Sequence, residues 1–218
     1  INVYFTTCAP CLFSRIIIFV DTYKTIASPA EGLYKEQGSK FLSFAYPVSS
    51  VDEVKILVEA KRKEFHDARH VCYAYMLGSA RTEFRSNDDG EPSGTAGRPI
   101  LGQINSNQLT DILIIVVRYF GGVLLGTSGL ITAYKAAAAE AIAASDIIDC
   151  IIESTYTVTF GYEQMNTVMR IIKEHQLTVV SQEQALACKL TFCVRQSLES
   201  LVYERFLKLD FVTIEKIG

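Results

Sequence analysis

The amino-acid sequence predicts an α+β protein of two domains, residues 21–150 and 151–218, from three observations. Hydrophobic residues make up 49% of the 218 residues and charged residues 21%, a composition that supports packed cores. The first domain contains a long apolar strand followed by an alanine-rich helix. The apolar pattern of the second domain predicts the order β-α-β-β-α-β, which is typical of a ferredoxin-like unit.

The first domain is predicted to begin with three short strands separated by glycine and proline. These strands are Tyr23–Ala27, Gly32–Lys35 and Lys40–Tyr46. Ser50 and Glu53 have the spacing of a capping box and so predict the start of an amphipathic helix. Two more strands are predicted at Val71–Leu77 and Thr82–Arg85. The glycine-rich segment that follows is predicted to be a loop, which could enter a short helix after Pro99.

The centre of the first domain combines a buried strand with a helix of small residues. Ile112–Tyr119 does not alternate and is rich in β-branched residues, which predicts a strand buried on both faces. Gly129–Ala144 is rich in alanine and nearly apolar all round, which predicts a well-buried helix close to the sheet.

The second domain has alternating strands and two amphipathic helices, with no linker rich in proline, glycine or serine before it. Its predicted elements, in chain order, are Glu153–Phe160, Glu163–His175, Leu177–Ser181, Ala185–Val194, Ser197–Leu209 and Phe211–Ile217. We therefore expect a short, stiff junction near Cys150.

The net charge and the cysteine content argue against some classes of function. The net charge of -3 predicts no general attraction to nucleic acid or anionic lipid, although it is compatible with a local basic patch. The six cysteines form no framework of the small secreted kind, which indicates a reducing, cytoplasmic location. Cys8 and Cys11 have C-x-x-C spacing without a second pair, so an unstructured tail is favoured over a zinc or redox site.

The first 20 residues lie before the domain-like sequence. Leu12–Val20 is apolar but is interrupted by Ser14 and Arg15, and it is shorter than the roughly 20 residues of a membrane-spanning helix. We therefore predict no membrane association. Residues 1–20 are interpreted as a disordered or non-native extension, with a weak signal peptide as the alternative.

Two glycine-rich segments, Asp88–Pro99 and Val116–Leu130, are the main candidates for a binding site. The second joins the buried strand to the alanine-rich helix, and a helix N-terminus can hold an anion. Thr127 or Ser128 could cap that helix. The spacing matches neither the P-loop nor the dinucleotide-binding pattern, and close packing of the helix on the sheet is the alternative explanation for the glycines.

The acidic residues of the first segment could act with nearby arginines. Asp88, Asp89 and Glu91 could bind Mg²⁺ or exchange protons, but no further ligand is positioned by the sequence. A solvated turn is therefore preferred, and neither a metal nor a cofactor is predicted. Arg98 and Arg118 could pair with Asp88 or Glu91, or contact a phosphate.

The remaining candidates for catalysis are weak. His66, His70 and Cys72 fit no common zinc motif and are interpreted as a packed junction. No serine lies in a G-x-S-x-G elbow. The sequence therefore favours a non-enzymatic protein.

Three motifs together resemble the signature of the YigZ/IMPACT family. They are Asp67–Tyr75, Asp88–Pro99 and Arg118–Gly126. The stretch from Asp21 to Ser145 resembles the family's N-terminal domain, and residues 151–218 resemble the smaller C-terminal domain of its bacterial members.

The resemblance implies an N-terminal domain with the fold of a ribosomal-protein domain and of elongation factor G domain IV, which sugar- and mevalonate-kinase type enzymes share. It implies a C-terminal domain like elongation factor G domain V. A eukaryotic relative acts in translational control, competing for the activator of a stress kinase that phosphorylates an initiation factor. Because a shared fold does not establish a shared function, these implications are associations.

Two functional hypotheses follow. The first is a translation-associated protein that binds RNA, the ribosome or a translation factor through a surface joining Arg98, Arg118, Tyr119 and the glycine loop. The second is an enzyme or sensor that binds a phosphorylated small molecule at the helix N-terminus near Gly126–Gly129. The candidate contact residues for both are Asp88, Asp89, Glu91, Ser93, Thr95, Arg98, Arg118, Tyr119, Gly121, Gly122, Gly126, Thr127, Ser128, Gly129 and Lys135.

Overall fold

The structure, a computed structural model, describes residues 21–217, which form an α+β protein with three sheets. The expectations for residues 1–20 lie outside the described residues. The elements in chain order are β1 Thr22–Ile26, β2 Ala30–Glu36, β3 Ser39–Pro47, α1 Val51–Glu64, β4 His70–Leu77, β5 Glu83–Asn87, α2 Gly97–Ser106, β6 Ile112–Tyr119, α3 Gly126–Ala143, β7 Ile147–Ile151, β8 Glu153–Phe160, α4 Met165–Glu174, β9 Thr178–Gln184, β10 Cys188–Arg195, α5 Glu199–Leu207 and β11 Val212–Lys216.

The largest sheet is antiparallel and has the strand order β2-β3-β6-β4-β5. Its central strand, β6, is buried from Ile112 to Arg118, which confirms the predicted two-sided burial. One face of β6 packs with α2 and α3 through Ile112, Ile114 and Val116. The other face packs with α1. Successive β6 residues therefore enter two different cores.

Helix α3 lies very close to the sheet because small residues line its contact face. A Cβ on Gly32 of β2 would lie 2.7 Å from the backbone nitrogen of Ala141. The helix begins at Gly126; the face that contacts the sheet is buried, as predicted, whereas the opposite face, which includes Ile131 and Lys135, is exposed. Within residues 21–217 no side chain caps its first turn, and Thr127 and Ser128 lie inside the helix, so neither is its cap.

Helix α1 confirms the capping-box prediction. The hydroxyl of Ser50 accepts a hydrogen bond from the backbone nitrogen of Glu53, and the Glu53 carboxylate accepts one from Ser49 N at 2.7 Å. These bonds satisfy backbone donors that a helix start leaves free.

Helix α2 is longer than predicted and begins before Pro99, at Gly97. Its N-cap residue, Ala96, has no side-chain hydrogen bond to offer. The carboxylate of Asp88 instead accepts hydrogen bonds from Ala96 N at 3.0 Å and Gly97 N at 2.8 Å. A distant carboxylate therefore supplies the cap that local sequence lacks.

The second large sheet has the antiparallel order β11-β8-β10-β9. Helices α4 and α5 pack against it to form a separate core that includes Val158, Leu190, Phe192 and Phe206. The element order β-α-β-β-α-β is as predicted.

A two-stranded sheet of β1 and β7 joins the two larger units. Strand β7 was not predicted from the sequence; it runs through Cys150, the residue expected at the junction. Asp21 adds two links here: its carbonyl accepts from Ile152 N at 2.6 Å, and its carboxylate accepts from Ser197 N at 2.8 Å.

Candidate functional site

The candidate site is built on three residues that lie side by side on the α3 face of the large sheet. Strand register places Phe41 of β3 and His70 of β4 on either side of Arg118 of β6. The Arg118 guanidinium lies 5.5 Å from the centre of the Phe41 ring. That ring and the Tyr134 ring of α3 form a T-shaped pair, with ring centres 5.2 Å apart.

Arg118 and Glu91 form a buried ion pair. Arg118 Nη1 lies 2.6 Å from Glu91 Oε1, and the two side chains are 8% and 3% exposed. The hydroxyl of Tyr134 donates to the same oxygen at 2.9 Å, and His70 Nε2 lies 4.0 Å from it. The Nε of Arg118 has no hydrogen-bond partner among residues 21–217. Of the two pairings expected for Arg118, the structure shows the one with Glu91.

Asp88 organises the glycine-rich loop rather than facing solvent. Besides capping α2, its carboxylate accepts a hydrogen bond from Gly94 N at 2.8 Å. Thr95, which is buried, closes the loop by donating to the carbonyl of Pro92 at 2.6 Å. The preference for a solvated turn at these acids is therefore wrong, because the loop folds around Asp88.

Asp89 is also held by protein groups. Its carboxylate accepts from Arg62 Nη2 at 2.6 Å and from Val71 N at 2.7 Å. Its carbonyl lies 2.7 Å from His70 Nδ1, so that ring nitrogen donates the hydrogen bond. Each acid of the segment thus has a structural contact, and no cluster of metal-ligating side chains occurs within residues 21–217.

Cys72 lies behind the ion pair and is fully buried. Its Sγ donates to the carbonyl of Asp88 at 3.0 Å and lies 3.4 Å from the Tyr134 hydroxyl. Burial raises the pKa of the Cys72 thiol well above its usual range, and burial likewise raises the pKa of Tyr134. A protonated, enclosed thiol is a poor nucleophile.

A cleft of about 410 Å³ opens beside the ion pair, between β4, the acidic loop and the N-terminus of α3. Its polar lining residues are Arg69, His70, Glu91, Arg118 and Thr127, and its apolar walls are Pro92, Phe120, Leu124, Leu125 and Leu130. Arg69 and Thr127 are exposed. Because the α3 N-terminus and the exposed Arg69 meet here beside the Arg118–Glu91 pair, the cleft can hold an anionic group beside an apolar one.

The loop that forms the outer wall depends on one close backbone contact. A Cβ on Gly121 would overlap the carbonyl carbon of Gly38. The Gly121 nitrogen also donates to Ser39 Oγ at 3.1 Å. Beyond this contact, Phe120 is 52% exposed and Leu124 is 85% exposed, so the loop presents apolar side chains to solvent.

The structure does not join the predicted residues into one surface. Arg118 and Tyr119 lie on opposite faces of the sheet, because consecutive strand residues point in opposite directions. The Tyr119 hydroxyl donates to Asp67 at 2.7 Å. Arg98 is exposed on α2 and does not line the cleft. The expected surface joining Arg98, Arg118 and Tyr119 on a single face of the sheet is therefore wrong.

Of the other predicted residues, two line the cleft and the rest lie around it. Gly126 and Thr127 line it directly. Several others are exposed or half-buried without lining it: Ser93, Gly121, Gly122, Ser128, Gly129 and Lys135.

Sequence reasoning missed three contributors to the site. Arg69, Phe120 and Tyr134 were not candidates, although Arg69 and Phe120 lie inside the quoted motifs. Tyr134 carries a usable signal, because it is the one aromatic residue within the alanine-rich helix Gly126–Ala143. A hydroxyl on such a helix must find a partner when it is buried.

Comparison with known proteins identifies the class to which this α+β architecture and its glycine-rich site belong. Residues 37–142 match the Impact N-terminal domain. The chain is 30% identical over 155 residues to the IMPACT family member YvyE of Bacillus subtilis, a match that covers 71% of each protein. The chain belongs to the IMPACT family.

Two further comparisons extend this finding. The chain is 38% identical over 118 residues to the IMPACT family member YigZ of Escherichia coli, covering 53% of this chain and 58% of that protein. A solved structure titled "Crystal structure of an hypothetical protein" matches with a TM-score of 0.67 and 25% identity, covering 91% of this chain and 98% of that one.

Among residues 21–217, no helix has the length and apolar character required to cross a membrane.

Proposed function

We propose that this protein is a non-enzymatic, cytoplasmic binding protein of the translation apparatus, and that it contacts RNA, on the ribosome or with a translation factor, at the cleft beside α3. The observation that carries the proposal is the convergence at one cleft of the α3 N-terminus, Arg69, His70 and the buried Arg118, with Phe120 exposed at the rim. A phosphate suits the polar side of the cleft, and a base suits the aromatic rim.

The fold supports the same proposal. The order β11-β8-β10-β9 supports a ferredoxin-like assignment for residues 151–218. The five-stranded sheet with helices on both faces supports the elongation factor G domain IV-like assignment for residues 21–150. Both folds occur in proteins that face the ribosome, an association that raises the expectation of RNA contact.

The cysteines are consistent with the proposed location. Cys72, Cys150, Cys188 and Cys193 are all free thiols. Free thiols persist in a reducing compartment.

The test is binding of a labelled single-stranded RNA by fluorescence anisotropy at low salt, together with co-sedimentation with ribosomes. Arg69→Ala removes an exposed cation from the cleft, and Arg170→Ala on α4 is the matched control. We expect Arg69→Ala to weaken RNA binding and to reduce the salt slope, the slope of log affinity against log salt concentration, by the amount that one phosphate contact contributes. We expect Arg170→Ala to change neither the affinity nor the salt slope. No RNA or ribosome binding by the unmodified protein would contradict the proposal.

A second candidate function is recognition of a phosphorylated small molecule at the same cleft. It is favoured by the walls of Pro92, Leu125 and Leu130, which enclose the space beside the cations. Competition separates the two functions. A small sugar or nucleoside phosphate that binds more tightly than RNA, and displaces it, would support the second.

A further inference from the structure

A second concave surface lies on the opposite face of the large sheet, where α1 does not reach. It has a volume of about 510 Å³ and is formed by the β2–β3 hairpin and the end of β6. We call it the hairpin groove, and its lining residues are Leu33, Lys35, Gly38, Lys40, Leu42, Tyr119 and Phe120. Leu33 is 48% exposed, so part of the apolar floor is open to solvent.

Two lysines of the groove face each other across the hairpin. Lys35 of β2 is the direct register partner of Lys40 of β3, and both are exposed. Among residues 21–217, neither ammonium has a carboxylate within 4.0 Å. Like charges directly opposite on a sheet repel each other. An anion placed between the two lysines would relieve that repulsion.

The row of side chains continues from the two lysines toward the aromatic rim. Lys40 is in turn the register partner of Tyr119, so Lys35, Lys40 and Tyr119 cross three adjacent strands. Adjacent strands lie ~4.8 Å apart, so the row is about 10 Å long. The two cations lie one strand spacing apart within this row, and the Tyr119 hydroxyl at its other end donates to Asp67.

Phe120 connects the groove with the cleft, because it lines both. The Arg118 guanidinium lies 5.7 Å from the centre of its ring, and the ring is 52% exposed. A ring with a cation on one side and solvent on the other can stack a flat, electron-rich partner such as a base.

We propose that the hairpin groove and the cleft form one continuous path for single-stranded RNA, with Lys35 and Lys40 contacting phosphates and Phe120 stacking a base. This inference rests on the proposed function and adds the nucleic-acid form and the route of the strand. Cations that alternate with an exposed aromatic ring are characteristic of single-strand binding surfaces. An acidic protein segment would use the lysines but has no need of the exposed ring.

The test compares two double variants of equal charge in the anisotropy assay. Lys35→Ala/Lys40→Ala alters the groove, and Lys173→Ala/Lys208→Ala alters two exposed lysines of the second unit. We expect the groove variant to bind single-stranded RNA roughly tenfold more weakly or worse, with the salt slope reduced by about 1.4 for two phosphates. We expect the control variant to bind as the unmodified protein does.

Phe120→Leu is the second arm, because it keeps an apolar side chain but removes the ring. We expect it to lower RNA affinity about fivefold or more with an unchanged salt slope, since stacking is not ionic. Circular dichroism and the thermal midpoint establish that each variant is folded.

The outcomes distinguish this inference from the proposed function. If the unmodified protein binds RNA but the groove variants bind it equally well, the route is wrong and the proposed function stands. If the unmodified protein binds no RNA, the proposed function is wrong and the route falls with it. If the groove lysines are needed for binding polyglutamate and not RNA, the groove takes an acidic protein segment and the inference is overturned.

Discussion

The buried ion pair between Arg118 and Glu91 gives the sharpest prediction about stability. Replacing Arg118 with Met leaves a carboxylate that is 3% exposed without its cation. Breaking one side of such a pair costs about 3–5 kcal/mol. For a chain of this length, each kcal/mol lowers the thermal midpoint by about 2–4 °C, so Arg118→Met should lower it by about 6–20 °C.

The double variant Arg118→Met/Glu91→Leu removes both charges and fills the same space with apolar atoms. It should lie much closer to the unmodified protein, because the desolvation of both ions is also removed. In that double variant the Tyr134 hydroxyl loses its hydrogen-bond acceptor, which lowers the free energy of unfolding by about 1–3 kcal/mol.

The assay is urea unfolding followed by circular dichroism, analysed as a double-mutant cycle. The control is the exposed pair of Arg205 and Glu174, whose side chains are 47% and 43% exposed. Breaking that pair should cost less than about 1 kcal/mol. The reasoning is refuted if Arg118→Met costs no more than the control, or if the effects of Arg118→Met and Glu91→Leu simply add.

Five other substitutions have defined outcomes. Gly121→Ala should lower the free energy of unfolding, measured with urea, by about 1–3 kcal/mol or more, because the new Cβ overlaps Gly38. Gly102→Ala, in open space within α2, should instead raise the free energy of unfolding by up to ~1 kcal/mol. Asp88→Asn should lower the free energy of unfolding by about 1–3 kcal/mol, since an amide cannot accept all three backbone hydrogen bonds. Calorimetry should show no tight Mg²⁺ binding before or after this substitution. Sub-micromolar Mg²⁺ binding that Asp88→Asn abolishes would contradict the structural role of Asp88. Burial, followed by the nearby Asp111 and Cys150, raises the pKa of Tyr23 from 10.0 to about 12. The stability that the protonated Tyr23 hydroxyl contributes is therefore complete below pH 10 and is lost between about pH 10 and pH 12. Tyr23→Phe should reduce the loss of stability across that window. Arg98→Ala should leave RNA affinity within about twofold, because Arg98 does not line the cleft; a loss like that of Arg69→Ala would place the RNA on α2 instead.

Much of the fold could be predicted because its signals are local. The run Ile112–Tyr119, the Ser50 capping box and the alternation of the second unit each specify an element from neighbouring residues alone. Helix α2 could not be placed correctly, because the group that caps it is Asp88, which lies nine residues before Gly97 in the chain. Strand β7 was missed because its pairing partner, β1, is at the far end of the first unit.

The site was predicted less well than the fold, for a different reason. The sequence indicated the right segments, but a segment does not say which side chains face each other. The separation of Arg118 and Tyr119 could have been predicted, since neighbours in a strand point to opposite faces. That Arg69, Glu91 and Tyr134 come together around the cleft could not be predicted, because they lie on three segments that pack together only in the folded protein.

The pairing of β1 with β7 has a consequence for the order in which the protein folds. The β2–β3 hairpin closes over the two residues Gln37 and Gly38, whereas Thr22 and Ile151 meet only when a loop of ~130 residues is closed. Loop-closure entropy then disfavours the β1–β7 pair by about 4 kcal/mol relative to the hairpin. We therefore expect strand β1 to pair with β7 only after most of the large sheet and α3 have formed.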